Sequence, residues 1–267
     1  MRFFQLILPL LALGSPIASG KGHARVDWIA MSKSCPPGKP VQTAVRMVID
    51  PGWHTYWINP GEGGMKTTFE WKLPDGWKVG EIGSPLPKQF LTGDLPGFGY
   101  EGTVLFPLGI TPPADFSGTA TLSGTVSWLA CNDGACVPGE SEVTLQLSAG
   151  PPAPTGEAGL IETALAKVPS ASDASYKLHV AEDGNFLKIR IEASSGKTVE
   201  FPFTHAFPAT PDVIDAGAEI RFTTEGDAWS ARVAKSEYAT QPIGKIALVL
   251  AGPEGVSPIS LSWQKSH

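Results

Sequence analysis

Cys131-Asn132-Asp133-Gly134-Ala135-Cys136 is the stretch of this 267-residue chain whose residue types and spacing could do chemistry. Asp133-Gly134 is a turn signal, and a tight reversal there brings the two Cβ atoms within disulfide reach. Two chemistries then stand open. One is a redox-active dithiol and disulfide, since a bridge across a short surface loop is readily reduced. The other is a local staple, although closing so short a loop removes little chain entropy, about 2 kcal/mol in the loop-closure model. Composition does not choose between them. Zinc is disfavoured, because a structural site wants four ligands and His23, His54, His179, His205 and His267 lack ligand spacing. Copper held by methionine fails similarly, since Met31, Met47 and Met65 do not cluster. The odd cysteine, Cys35 in Ser34-Cys35-Pro36-Pro37-Gly38, has nothing around it to lower its pKa and reads as a non-catalytic thiol.

A hairpin must hold the pair. Thr125-Val126-Ser127-Trp128-Leu129-Ala130 reads as the strand before the turn, and Val137-Pro138-Gly139 follows it. Apolar and polar residues also alternate over 41–48, 143–147, 186–191, 220–222, 229–233 and 259–263. Many short strands between Gly, Pro, Asn and Asp turns indicate antiparallel β-sandwiches, not a parallel sheet with crossover helices. The Pro-rich stretch Ser148-Ala149-Gly150-Pro151-Pro152-Ala153-Pro154 separates two halves. After it, 156–168 carries Leu160, Ile161, Ala164, Leu165 and Val168 on one helical face, with Pro169 as the stop. The expectation is an all-β protein: a sandwich over 25–150, a linker and short helix over 151–169, and a second β-rich domain over 170–267. All three cysteines and six of the eight tryptophans lie in the first half. The second half has no cluster of acids, bases or metal ligands, so it is expected to be structural or to dock a partner.

With 42% hydrophobic and 17% charged residues the chain is not intrinsically disordered. A net charge of -6 gives no electrostatic footprint for nucleic acid. Met1-Arg2 and the apolar run after it, followed by Ser15, Ala18, Ser19 and Gly20, read as a secretory signal peptide over 1–24, cleaved after Gly20 or Ala24. That run is shorter than the ~20 residues of a membrane span. No stable membrane insertion is expected, and export places the cysteines in an oxidising compartment.

The first half resembles a known family through motifs that occur in order. These are Gly52-Trp53-His54-Thr55-Tyr56-Trp57-Ile58-Asn59-Pro60-Gly61, Leu73-Pro74-Asp75-Gly76-Trp77, Pro85-Leu86-Pro87 and Gly99-Tyr100-Glu101-Gly102. Ser127-Trp128-Leu129-Ala130-Cys131 through Cys136-Val137-Pro138-Gly139 completes the series. Over roughly residues 26–148 they are similar to the N-terminal periplasmic domain of the thiol:disulfide interchange protein DsbD and its ScsB-type relatives. More weakly, Phe201-Pro202-Phe203 resembles the β-rich segment that follows in ScsB-type ectodomains.

The resemblance implies two immunoglobulin-like sandwiches and a periplasmic cysteine pair that passes electrons without an organic cofactor or metal. Cys136 would form mixed disulfides and Cys131 would resolve them. The implied partners are a thioredoxin-like or membrane-embedded disulfide reductase on one side and periplasmic substrate proteins with disulfides on the other. The family shields its disulfide with an aromatic ring on a flexible cap loop. Here the segment 88–99 would be the cap, Phe90 the shielding ring and Phe98 the second choice, with glycines as hinges. Tyr56 would be an aromatic near the site, while Trp53, Trp57 and Trp128 read as core. Full family members add a transmembrane domain and a thioredoxin-like domain, and neither precedes the end at His267, so the expected reductant is a separate protein. Two other readings stay open: an exported binding module in which the bridge is a staple, and an accessory subunit in metal stress or cytochrome c biogenesis. Reducibility separates relay from staple, because structural disulfides lie below about -300 mV.

Overall fold

The computed structural model describes residues 22–171, 175–194 and 201–265. The expected leader falls outside the described residues as far as position 21.

In the first half, β1 (Ala24–Ala30), β3 (Val41–Ile49), β9 (Thr103–Thr111) and β6 (Lys78–Val79) form one sheet in that order. A second contains β2 (Ser34–Cys35), β11 (Cys136–Ala149), β10 (Thr119–Cys131) and β5 (Thr68–Lys72). Their inner faces meet in one core that includes Val26, Val45, Phe106, Leu122, Val126 and Leu147. Strand alternation explains this: Leu122, Val126, Trp128 and Ala130 of β10 turn inward and their neighbours turn out. By that parity Cys131 lies on the outer side of its sheet. A third sheet of β4 (Thr55–Gly61), β8 (Leu95–Tyr100) and β7 (Lys88–Thr92) was not foreseen as a unit; the expected cap loop is the β7–β8 hairpin, paired onto β4.

In the second half, β12 (Ser170–Ala171), β19 (Ile259–Gln264), β18 (Lys245–Ala251) and β15 (His205–Pro208) form one sheet. The other holds β13 (Tyr176–Asp183), β14 (Phe186–Ala193), β17 (Ala228–Ala234) and β16 (Thr223–Glu225). Leu187, Ile189, Ile191, Ile246, Leu248 and Leu250 fill the core between them. This is the all-β, immunoglobulin-like sandwich architecture expected from the strand pattern and the resemblance. The expected strand over 220–222 is absent: Ile220 drops into the core without a ladder partner, and pairing starts at Thr223.

Helix α1 (Ala158–Leu165) is shorter than its apolar pattern, and only Ile161 and Ala164 are buried. It lies on the outside of the first sheet, where Ile161 meets Ile29 and Ala44, so Leu160 and Leu165 face outward. The Pro-rich stretch is no free tether. The Ser32 hydroxyl accepts the Ala153 amide at 2.8 Å, the Thr155 hydroxyl donates to the Ala30 carbonyl at 2.6 Å, and Arg46 bridges Asp27 to Glu157. Cys35 is free and buried, and burial raises its thiol pKa. Trp57 and Trp128 are core as expected, whereas Trp53 is half-buried and stacks on His23 at 3.5 Å.

Candidate functional site

The hairpin β10–β11 runs in register to its tip, where Cys131 faces Cys136. The Asn132 amide donates to the Ala135 carbonyl at 2.9 Å, and the Asn132 side-chain oxygen accepts the amides of Gly134 and Ala135. Asn132 thus closes the turn, and the cysteines form the next, non-hydrogen-bonded pair, the closest kind of cross-strand neighbour. Their Cα atoms are 4.1 Å apart and their sulfurs are bonded at 2.05 Å. The two are unequal in access: Cys131 is 0% exposed, whereas Cys136 is exposed.

What covers Cys131 begins at His54. Its amide donates to the Cys131 carbonyl and its carbonyl accepts the Cys131 amide, both at 2.9 Å. Directly opposed residues of an antiparallel pair project to the same face, so His54, Cys131 and Cys136 stand in a row across three strands. The ring of Phe90 lies 3.9 Å from the His54 imidazole, and Tyr56 meets it edge-on at 5.4 Å. Thr92 joins the group, with its hydroxyl 2.9 Å from His54 Nε2 and 3.4 Å from the Tyr56 hydroxyl.

Of the five residues singled out in the sequence, Cys131 and Cys136 are bonded, and Phe90 and Tyr56 gather on His54. Phe98 stands apart, buried in the core against Trp57 and Phe207. Sequence reasoning missed His54 and Thr92. The available signal was period two: His54 and Tyr56, like Phe90 and Thr92, are same-face neighbours on one strand. Two glycines of the segment also make room for the ring. Gly97 and Gly99 leave the floor on which the Phe90 ring lies, and a Cβ at Gly99 would collide with the Thr55 carbonyl of β4 as well. Gly99→Ala is therefore expected to lose about 1–3 kcal/mol, as overpacking does, and to expose the Phe90 amide. Urea unfolding with amide hydrogen exchange checks both.

Burial is the leading electrostatic influence. Desolvation lowers the His54 pKa from 6.5, against the opposing pull of the Glu101 and Asp133 carboxylates. Burial raises the Tyr56 phenol pKa, with the Thr92 hydrogen bond acting against it. The sign for stability follows. The unfolded chain binds the His54 proton more readily, so stability is full above 6.5 and falls as pH drops from there through the lower folded value. Urea midpoints at about pH 7.5 and about pH 5.5 should differ more for the wild type than for His54→Phe, which cannot titrate. Equal differences would remove His54 as the source. Among the described residues no group of three His, Cys, Asp or Glu side chains could hold a metal ion, and no helix is long and apolar enough to cross a membrane.

Comparisons with known proteins bear on the same region. Residues 26–148 match the family described as thiol:disulfide interchange protein DsbD, N-terminal. No curated protein sequence matches the chain. Among solved structures, the N-terminal periplasmic domain of ScsB from Proteus mirabilis superposes with a TM-score of 0.62 at 20% identity, covering 91% of this chain and 92% of that one. The sporulation control protein Spo0M from Bacillus subtilis aligns over 91% of each chain at 11% identity, with a TM-score of 0.25. The ScsB likeness establishes a shared fold across both halves.

Proposed function

On the premise that residues 26–148 carry the DsbD N-terminal domain, we propose that the protein is an exported, periplasmic thiol–disulfide interchange protein working through Cys131 and Cys136. In this reading 25–150 is the redox domain, 151–169 the linker and helix, and 170–267 a structural or docking domain. The leader is removed on export by cleavage after Gly20, the cut that keeps Ala24 in β1 and His23 against Trp53.

One observation carries the reading: the bonded pair is open on the Cys136 side and covered on the Cys131 side. A thiolate of a dithiol reductant attacks the Cys136 sulfur, the Cys131–Cys136 bond breaks, and Cys131 departs as a thiolate and takes up a proton. The second thiol of the reductant then displaces Cys136, leaving the reductant oxidised and this protein with two thiols. Toward a substrate the order reverses. The Cys136 thiolate attacks the substrate disulfide and expels one substrate thiol. Cys131 attacks Cys136, re-forming the bridge and releasing the second thiol. Two electrons move in each half. The reductant is a thioredoxin-like or membrane-embedded protein, and Phe90 with Tyr56 shields the Cys131 side of the pair between encounters.

The test is to equilibrate the purified protein with a thioredoxin-like protein of known potential and quantify free thiols. A potential above about -300 mV with prompt exchange is expected. A lower potential with no exchange would leave the bridge a staple and overturn the proposal.

A further inference from the structure

The three-stranded sheet of β4, β8 and β7 has two faces, and each meets something different. One carries His54, Tyr56, Phe90 and Thr92, with His54 hydrogen-bonded through its backbone to Cys131. The reverse carries Trp57, Asn59, Gln89 and Phe98, because alternate residues of a strand point to opposite sides. Every one of these four touches the segment 207–216 of the second half. Trp57 and Phe98 each lie 6.3 Å from the Phe207 ring. Asn59, which is 3% exposed, donates to the Pro208 carbonyl at 2.7 Å. Gln89 donates to the Ala216 carbonyl at 2.8 Å, and Ala216 itself is buried in the core of the first half.

We infer that the second half is a brace for the cap, and that Gln89 is a positioning residue through which it acts. Gln89 and Phe90 are consecutive on β7. One is fixed to the second half and the other lies on His54, so the strand is held between them. Phe90 cannot leave His54 by a swing of the hairpin without breaking the Gln89–Ala216 hydrogen bond or carrying the second half along. A crevice of about 430 Å³, lined by Leu95, Ile214, Ala216 and Tyr238, borders the contact and gives the hairpin tip room to move once it is free. The inference assigns the second half to the regulation of the proposed redox site and rests on that reading.

Gln89→Met keeps the length of the side chain and removes the donor. Gln89 is solvent-exposed, so the variant should fold, which its thermal midpoint verifies. Loss of one neutral hydrogen bond should speed amide exchange at Phe90 and Thr92 about two- to tenfold. Reduction of the bridge by dithiothreitol should accelerate by a similar factor while the equilibrium potential stays unchanged, a split that general loosening of the site would not give. Amide exchange as slow as in the wild type would overturn the brace. Faster exchange with an unchanged reduction rate would overturn its link to the cysteines. The amide measurement needs no sulfur chemistry, so it decides the brace even if the bridge proves inert and the redox proposal fails.

Discussion

Cys136→Ser is expected to abolish exchange, whereas Cys131→Ser should retain the attacking thiol and accumulate mixed disulfides. The asymmetry comes from access. A partner can reach the exposed Cys136, while Cys131 is fully buried and paired through its backbone with His54, on which Phe90 and Tyr56 gather. Without Cys131 there is no internal thiol to displace the bound partner, so the intermediate persists. Both variants should fold. Opening a loop this short costs about 2 kcal/mol in the loop-closure model, and the core beneath it is untouched. Non-reducing electrophoresis after incubation with oxidised and reduced thioredoxin-like proteins provides the readout. Mixed disulfides forming equally in both variants would contradict the assigned order of attack, and none in either would contradict exchange altogether.

The second large effect is on stability. Trp57 is 1% exposed and packs against Phe98 of its own sheet and Phe207 of the second half. Trp57→Ala should therefore cost about 3–5 kcal/mol, the range for emptying a buried large aromatic site. That is a large share of the roughly 5–15 kcal/mol that a folded domain has in hand. Because the indole touches both halves, unfolding followed by a probe in each should shift together. Trp57→Phe should be much milder, about 1.5 kcal/mol or less, as a shape-related apolar swap. The indole N–H has no hydrogen-bond partner among the described residues, so its removal forfeits none there. A loss confined to the first half in Trp57→Ala would show that the packing does not couple the halves.

Much of the architecture was legible because it is local. Alternation along 41–48 and 186–191 marked true strands, since one buried face imposes period two on its own residues. Asp133-Gly134 marked the reversal that aligns the cysteines. Local pattern failed where burial depends on what lies opposite. The pattern puts five apolar residues on one helical face, but the helix ends at Leu165, short of Val168, and buries only Ile161 and Ala164, with Ile161 meeting Ile29 and Ala44 of the sheet. Phe90 and Phe98 look alike in sequence. Strand parity and the docking of Phe207 send one onto His54 and the other into the core.

The chain by itself determined that two cysteines meet across a tight turn on a sandwich of twisted strands. Turn chemistry and side-chain alternation need only neighbours a few positions away. Tertiary structure alone decided which sulfur is reachable, that His54 stands beside Cys131, and that the cap rests on the second half. Those outcomes depend on pairings such as Asn59 with Pro208, 149 positions apart, and Gln89 with Ala216, 127 apart. Nothing in the local pattern encodes partners at that distance. They are selected when whole sheets pack, because only one arrangement buries both apolar faces and leaves their polar edges hydrogen-bonded.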